Sequence, residues 1–281
     1  MIERLAIVGV GLLGGSVAQA ARARGLARRI VGVGREPARL AAALADGTLD
    51  AVTDDLGDGV READVVVLAA PVLANETLLA RLWPLVPDGA LVTDVGSTKR
   101  GIVAAAERLA AARPVAFVGS HPMAGSERRG YEAARADLLQ GALVIVTPTE
   151  ASDTGAAKRV TELWEQCGAR VTTLDPETHD RAVAAVSHLP HVVARALVDA
   201  VARFEPAALE VAGRGFRDTT RIAAGDPVVW REILIANRDA VTASLGAFRA
   251  ALDDLERIIE AGDGAALERR LGAIKAQRER L

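Results

Sequence analysis

An apolar run, Leu5 to Val10, passes directly into the glycine loop Gly9-Val10-Gly11-Leu12-Leu13-Gly14, and a helical pattern follows as far as Gly25. Few folds use a strand, a tight glycine turn and a helix in immediate succession this way. Gly9 permits the turn, Gly11 lets backbone approach a pyrophosphate, and Gly14 lets the helix pack on its strand. The helix N-terminus then faces the phosphate charge. The arrangement predicts a dinucleotide-binding unit at the start of the chain, with Gly9, Gly11, Leu12, Leu13 and Gly14 as cofactor-binding candidates. A strand–turn–helix whose glycines serve only the turn is the plainer alternative.

The pattern then alternates. Residues 29–34 read as a strand, 36–47 as a helix opened by Pro37, 64–70 as a strand, 76–86 as a helix and 90–94 as a strand ending at Asp94. "VAFVG", "ALVIVTP" and "ARVTTLD" add strands, and "GAAKRVTELWEQCG" adds a helix. Unbroken apolar strands alternating with helices predict an α/β fold, a doubly wound parallel sheet covered on both faces. From about Pro176 the strand pattern stops and helices dominate. The expected division is a dinucleotide-binding domain at 1–174 and an all-helical substrate and dimerisation domain at 175–281. In the second part, Leu234, Val241, Leu245, Phe248, Leu252, Leu255 and Ile259 form a stripe like a coiled-coil seam. A homodimer is expected there, with burial against the chain's own helices as the alternative.

Composition narrows the functions. A formal net charge of −3 offers no basic field for nucleic acid or an anionic membrane surface. No apolar run is long enough to span a bilayer. The strand beginning within the first residues leaves no room for a signal peptide. The single cysteine, Cys167, excludes an internal disulfide and fits a cytoplasmic location.

In doubly wound sheets ligands lie outside the carboxyl ends of the strands. Three polar clusters end strands here: the glycine loop, "DVGSTK" (94–99) and "SHPMAGSE" (120–127). Pro71, which directly follows the strand at 64–70, joins the cofactor candidates. The second strand ends Gly34-Arg35-Glu36, with glycine where a ribose-binding acid usually stands. Arg35 there suits a 2′-phosphate, so NADP is preferred over NAD. Glu36 more simply opens the next helix. His121 stands on a proline-stiffened loop past a buried strand, where a base titrating near neutrality would meet the cofactor.

"GVGLLGGS", "DVGSTK", "GSHPMAGSE", "SHLPH" and "GFRDTTRIA", in that order, resemble the prephenate dehydrogenase family of tyrosine biosynthesis, which includes arogenate and cyclohexadienyl dehydrogenases. The resemblance covers nearly the whole chain. It implies an NAD(P)-dependent oxidative decarboxylation of prephenate to 4-hydroxyphenylpyruvate, or the corresponding reaction of arogenate. It makes His121 the catalytic histidine and Ser97 the serine that bonds the substrate hydroxyl and orients it. Arg221 becomes the grip on the side-chain carboxylate, and His188 a substrate-site histidine. Asp218, Arg217 and Glu127 match charged positions near the pocket.

Each residue has a plainer reading. Ser97 suits a helix N-cap. Arg221 suits a salt bridge to Asp218 or Asp226. Lys99 suits a solvated first turn, His179 the surface, His191 a structural role and Trp230 the core. His188 and His191 share a face at metal-ligand spacing, but nothing nearby completes a set and the reaction needs no metal. The rival readings are a different hydroxyacid dehydrogenase with a helical second domain, and an NADP-binding sensor without chemistry.

Overall fold

A computed structural model describes residues 1–126 and 128–280. Five strands and their connecting helices come first: β1 Ile2–Val8, α1 Leu12–Ala23, β2 Ala27–Val33, α2 Ala41–Ala45, β3 Ala51–Thr53, α3 Leu56–Val60, β4 Val65–Leu68, α4 Val72–Leu82, β5 Leu91–Asp94 and α5 Arg100–Ala110. Then come β6 Ala116–Phe117, β7 Gly119–Pro122, β8 Leu143–Thr147, α6 Thr154–Gln166 and β9 Arg170–Thr173. The rest is helical: α7 Pro176–Val183, α8 Leu189–Phe204, α9 Arg214–Thr220, α10 Pro227–Ala236, α11 Arg238–Glu260 and α12 Gly264–Arg278.

Six strands form one parallel sheet in the order β3-β2-β1-β4-β5-β6. Separate apolar clusters cover its two faces, one around Leu5, Ile7, Val17 and Trp164 and the other around Val66, Leu79, Leu82 and Trp83. The order reverses at β1 and β4, so the crevice beyond their carboxyl ends is where a ligand is expected.

The sequence reading of 36–47 as one helix needs correction: Pro37–Leu40 is a 3₁₀ turn and only Ala41–Ala45 is α-helical. The short strand β3 escaped it altogether. The parallel sheet also ends sooner than expected. β7 leaves it and pairs antiparallel with β8, which pairs parallel with β9 in a second sheet. The departure has a local cause. The Val118 amide donates to the Val92 carbonyl of β5, but the amide two residues on, Ser120, donates to the Asp94 side chain at 3.1 Å rather than to the β5 backbone. The Ser120 hydroxyl donates to the Asp94 carbonyl at 2.5 Å. His121 therefore lies within a strand, fixed by pairing with Ile145, and not on a free loop.

Between α7 and α8 the chain makes one π turn, Ala184–His188, and Pro190 sits in the first turn of α8, where its missing N–H costs little. Among the described residues no helix is long and apolar enough to cross a membrane.

Candidate active site

A cleft of about 690 Å³ opens at the switch point between β1 and β4. Its floor comes from the sheet's carboxyl edge and its far wall from Arg221–Trp230 and α10. Gly9 adopts φ +100°, and a Cβ there would fall 2.7 Å from the Ala69 backbone. A Cβ on Gly14 would fall 2.1 Å from the Gly9 carbonyl, so helix and turn touch only because both residues are glycine. Gly11 is the N-cap of α1 with no side-chain cap, and a Cβ there would meet nothing within 4 Å. The first amides of α1 are thus open toward the cleft. Leu12, Leu13 and Pro71 line the same space. This cradle fits a dinucleotide pyrophosphate.

Arg35 is exposed just past β2 and outside the cleft lining. Glu36 pairs with Arg39 at 2.9 Å, as befits a residue opening its own turn.

Ser97 lines the cleft with Val95 and Gly96. It does not cap α5: the N-cap position is Lys99, and Asp180 of α7 accepts from the Lys99 and Arg100 amides at 2.7 and 3.1 Å. Lys99 is not solvated either. Its ammonium is wholly buried, paired with Asp94, and donates to the Ser120 carbonyl at 2.8 Å. Burial lowers its pKa, against the attraction of Asp94.

His121 is 7 % exposed and is not among the residues that line the cleft. Its Nδ1 lies 3.0 Å from Nε2 of His179, whose Nδ1 lies 2.8 Å from Asp180 Oδ1. His179, expected at the surface, is fully buried, because α7 docks against α5, α11 and β8. Burial, with His179 and the Lys99 charge, holds His121 well below the ordinary imidazole value. Burial pulls Asp180 upward, but the bonds from His179, Lys99 and Arg100 outweigh it and keep the acid below its ordinary value.

On the helical wall Arg221 faces the cleft, and among the described residues no carboxylate is paired with it. His191 stacks on Trp230 with centroids 3.4 Å apart, and Arg195 lies 5.5 Å from the Trp230 ring. Arg195 also donates to the Gly225 carbonyl at 3.1 Å. This group braces the turn that carries Arg221, so Trp230 walls the cleft rather than filling a core. Burial and the Arg195 charge depress His191 to about 4.

His188 is 1 % exposed and lies behind Trp230, outside the cleft lining. The Asn237 amide donates to its Nδ1 at 3.2 Å, which leaves the proton on Nε2, and among the described residues Nε2 has no partner. Burial depresses its pKa to about 4. Arg217 and Asp218 sit on α9, exposed and outside the cleft lining; Arg217 donates to the Ala212 carbonyl. Glu127 lies outside the described residues.

The sequence reading missed the partners behind the site: Asp94, Asp180, Asn237 and Arg195. A local signal existed only for the first, an acid and a lysine five residues apart across a strand end.

Residues 17–173 match the family model "Prephenate dehydrogenase, nucleotide-binding domain", and residues 175–273 match "Prephenate dehydrogenase, dimerization domain". A prephenate dehydrogenase of Bacillus subtilis is 35% identical over 288 residues, covering 100% of this chain and 76% of that protein. The crystal structure of prephenate dehydrogenase from A. aeolicus in complex with hydroxyphenyl propionate and NAD+ superposes with a TM-score of 0.93 at 35% identity, covering 100% and 98% of the two chains. Synechocystis arogenate dehydrogenase gives 0.86 at 31% identity, covering 99% of each chain.

Proposed function

The chain belongs to the prephenate dehydrogenase family, and on that premise we propose that it converts prephenate oxidatively to 4-hydroxyphenylpyruvate and CO2. The observation that carries this reading is the convergence of the glycine cradle, Ser97 and Arg221 on one cleft, with His121 four residues before Gly125 of its lining. A bound NAD(P)+ supplies the hydride acceptor. Ser97 bonds the C4 hydroxyl of the substrate, and His121 takes its proton at Nε2 as C4 becomes a carbonyl. The ring then expels its carboxylate as CO2, the electron pair passes to the C4 oxygen, and His121 returns the proton to the phenolate. Arg221 holds the side-chain carboxylate, ideally through both guanidinium donors. The resemblance assigns His188 to the substrate site and Glu127, Arg217 and Asp218 to charges near it; here His188 backs Trp230 of the cleft wall, and Arg217 and Asp218 lie outside the lining. Of the two cofactors NADP is the preferred one, because Gly34 leaves room and Arg35 supplies charge at the ribose end. The exposed parts of the α11 stripe support a homodimer, and we place the enzyme in the cytoplasm.

One observation favours a second substrate. Glu232, largely buried in the cleft wall, paired with Arg231 at 3.6 Å and accepting from the Leu73 amide at 3.4 Å, would turn its carboxylate to the ammonium of arogenate. The test is reduced-cofactor absorbance with prephenate and arogenate, each with NADP and NAD, for the native protein and His121→Asn. Turnover that vanishes in the variant supports the reading. No turnover with either substrate, in protein that binds the cofactor, overturns it in favour of a sensor.

A further inference from the structure

Two of the four histidines stand one behind the other, and an acid stands behind both. His121 comes from β7 of the nucleotide-binding half; His179 and Asp180 come from α7 of the helical half. The two rings meet edge to face, with centroids 5.1 Å apart. Asp180 is held on all sides. Oδ1 accepts from the Lys99 amide and from His179, and Oδ2 accepts from the Arg100 amide and from Arg100 Nε at 3.3 Å. An acid so engaged cannot turn, and as a carboxylate it can only accept. The proton between it and His179 therefore belongs to His179 Nδ1. With that single proton His179 presents a lone pair at Nε2, and among the described residues its partner is His121 Nδ1, which must then carry a hydrogen.

We propose that His179 and Asp180 are positioning residues that fix His121 in its Nδ1–H form and so leave the Nε2 lone pair free to take the substrate proton. This rests on the role given to His121 above. When the substrate O–H bond breaks and the Nε2–H bond forms, His121 becomes an imidazolium. Its charge is held by the His179 lone pair and, behind it, by the Asp180 carboxylate; no proton passes to Asp180. A merely structural contact would not need such a chain, since an apolar pair would seal the interface between the halves at less cost in desolvation. Because the relay crosses that interface, docking of α7 also sets the protonation pattern of a residue on the other half.

The experiment has two arms. The first is nitrogen NMR of ¹⁵N-histidine protein at neutral pH, with resonances assigned through His188→Gln and His191→Gln. The expected spectrum has His121 protonated at Nδ1 and bare at Nε2, with a single proton on His179. A His121 protonated at Nε2, or a doubly protonated His179, overturns the proposal whatever the activity. The second arm compares His179→Leu with His179→Gln, whose amide oxygen can still accept from His121. The leucine variant should lose roughly 10²–10⁴-fold in kcat with KM for prephenate nearly unchanged, and the glutamine variant should recover much of it. Equal kcat in native and leucine proteins overturns the proposal. A native protein with the expected spectrum that turns over neither prephenate nor arogenate supports the relay and overturns the substrate reading instead.

Discussion

Lys99 and Asp94 form an ion pair in which neither side chain reaches solvent. The pair welds the loop after β5 to β7: Asp94 accepts from the Ser120 and Gly96 amides, and Lys99 donates to the Ser120 carbonyl. Removing one partner strands the other charge in the interior. Lys99→Met should cost roughly 3–5 kcal/mol of stability in urea unfolding. The double change Lys99→Met with Asp94→Asn should cost clearly less than Lys99→Met alone. A single change costing under about 1 kcal/mol would show that water reaches the pair.

Arg221 has no carboxylate of its own among the described residues, so its guanidinium is available to a substrate acid. Arg221→Ala should lose roughly 2–4 kcal/mol in kcat/KM, most of it in KM. Arg221→Lys should restore only part, because an ammonium cannot supply a planar fork. Steady-state kinetics with prephenate decide this, and an unchanged kcat/KM removes Arg221 from the site.

Arg35 is exposed beyond β2, clear of any ion pair among the described residues. Arg35→Ala should weaken NADP about tenfold, worth about 1.4 kcal/mol, while NAD binding changes little. Calorimetric titration of both nucleotides measures the difference. Equal effects on the two would take the 2′-phosphate away from Arg35.

His188 and His191 are both pushed down to about 4, from 6.5. Below 6.5 the unfolded chain binds protons that the folded chain refuses, so stability falls as pH drops from 6.5 toward 4. A fully buried histidine gives a slope of about 1.4 kcal/mol per pH unit; half-buried His191 gives less. The Asp180 contribution is lost only below 3.8, outside this window. Denaturant melts at pH 7, 6 and 5 should show the decline, and His188→Gln should make it shallower, the rest coming from His121 and His191, which are also held low. Constant stability over that range would mean the histidines are hydrated.

On α11, Leu252 is 48 % exposed and Ile259 62 % exposed in the single chain. Leu252→Asp with Ile259→Asp should convert a dimer to a monomer in sedimentation while the far-ultraviolet spectrum stays native. Two monomeric proteins, native and variant alike, would leave the stripe without a partner.

The local features were legible because they depend on spacing along the chain. The glycine loop, the strand–helix alternation and the end of each strand before a polar cluster all sit within a few residues of one another. The rule that ligands gather at the carboxyl edge then brought Ser97, Pro71 and the loop to one place, and there they line one cleft. The stripe from Val241 to Ile259 was also legible, since α11 carries it on one face, but Leu234, read as its first member, lies on α10, beyond the break at Asn237.

The sequence by itself determined which chemistry-bearing residues this protein has and which strand ends carry them. Tertiary structure alone decided what stands behind each. Lys99 at a helix start reads as solvated until Asp180, 81 positions away, caps its amide and Asp94 neutralises its charge. His179 reads as a surface residue until docking of α7 buries it against His121. Likewise "VAFVG" reads as a strand with a loop after it, and only the fold shows that Asp94 takes the Ser120 amide and that Gly119–Pro122 pairs as a strand of a second sheet. Burial and hydrogen-bond choice are settled by whichever partner the fold delivers, and no spacing along the chain encodes a partner 80 residues distant.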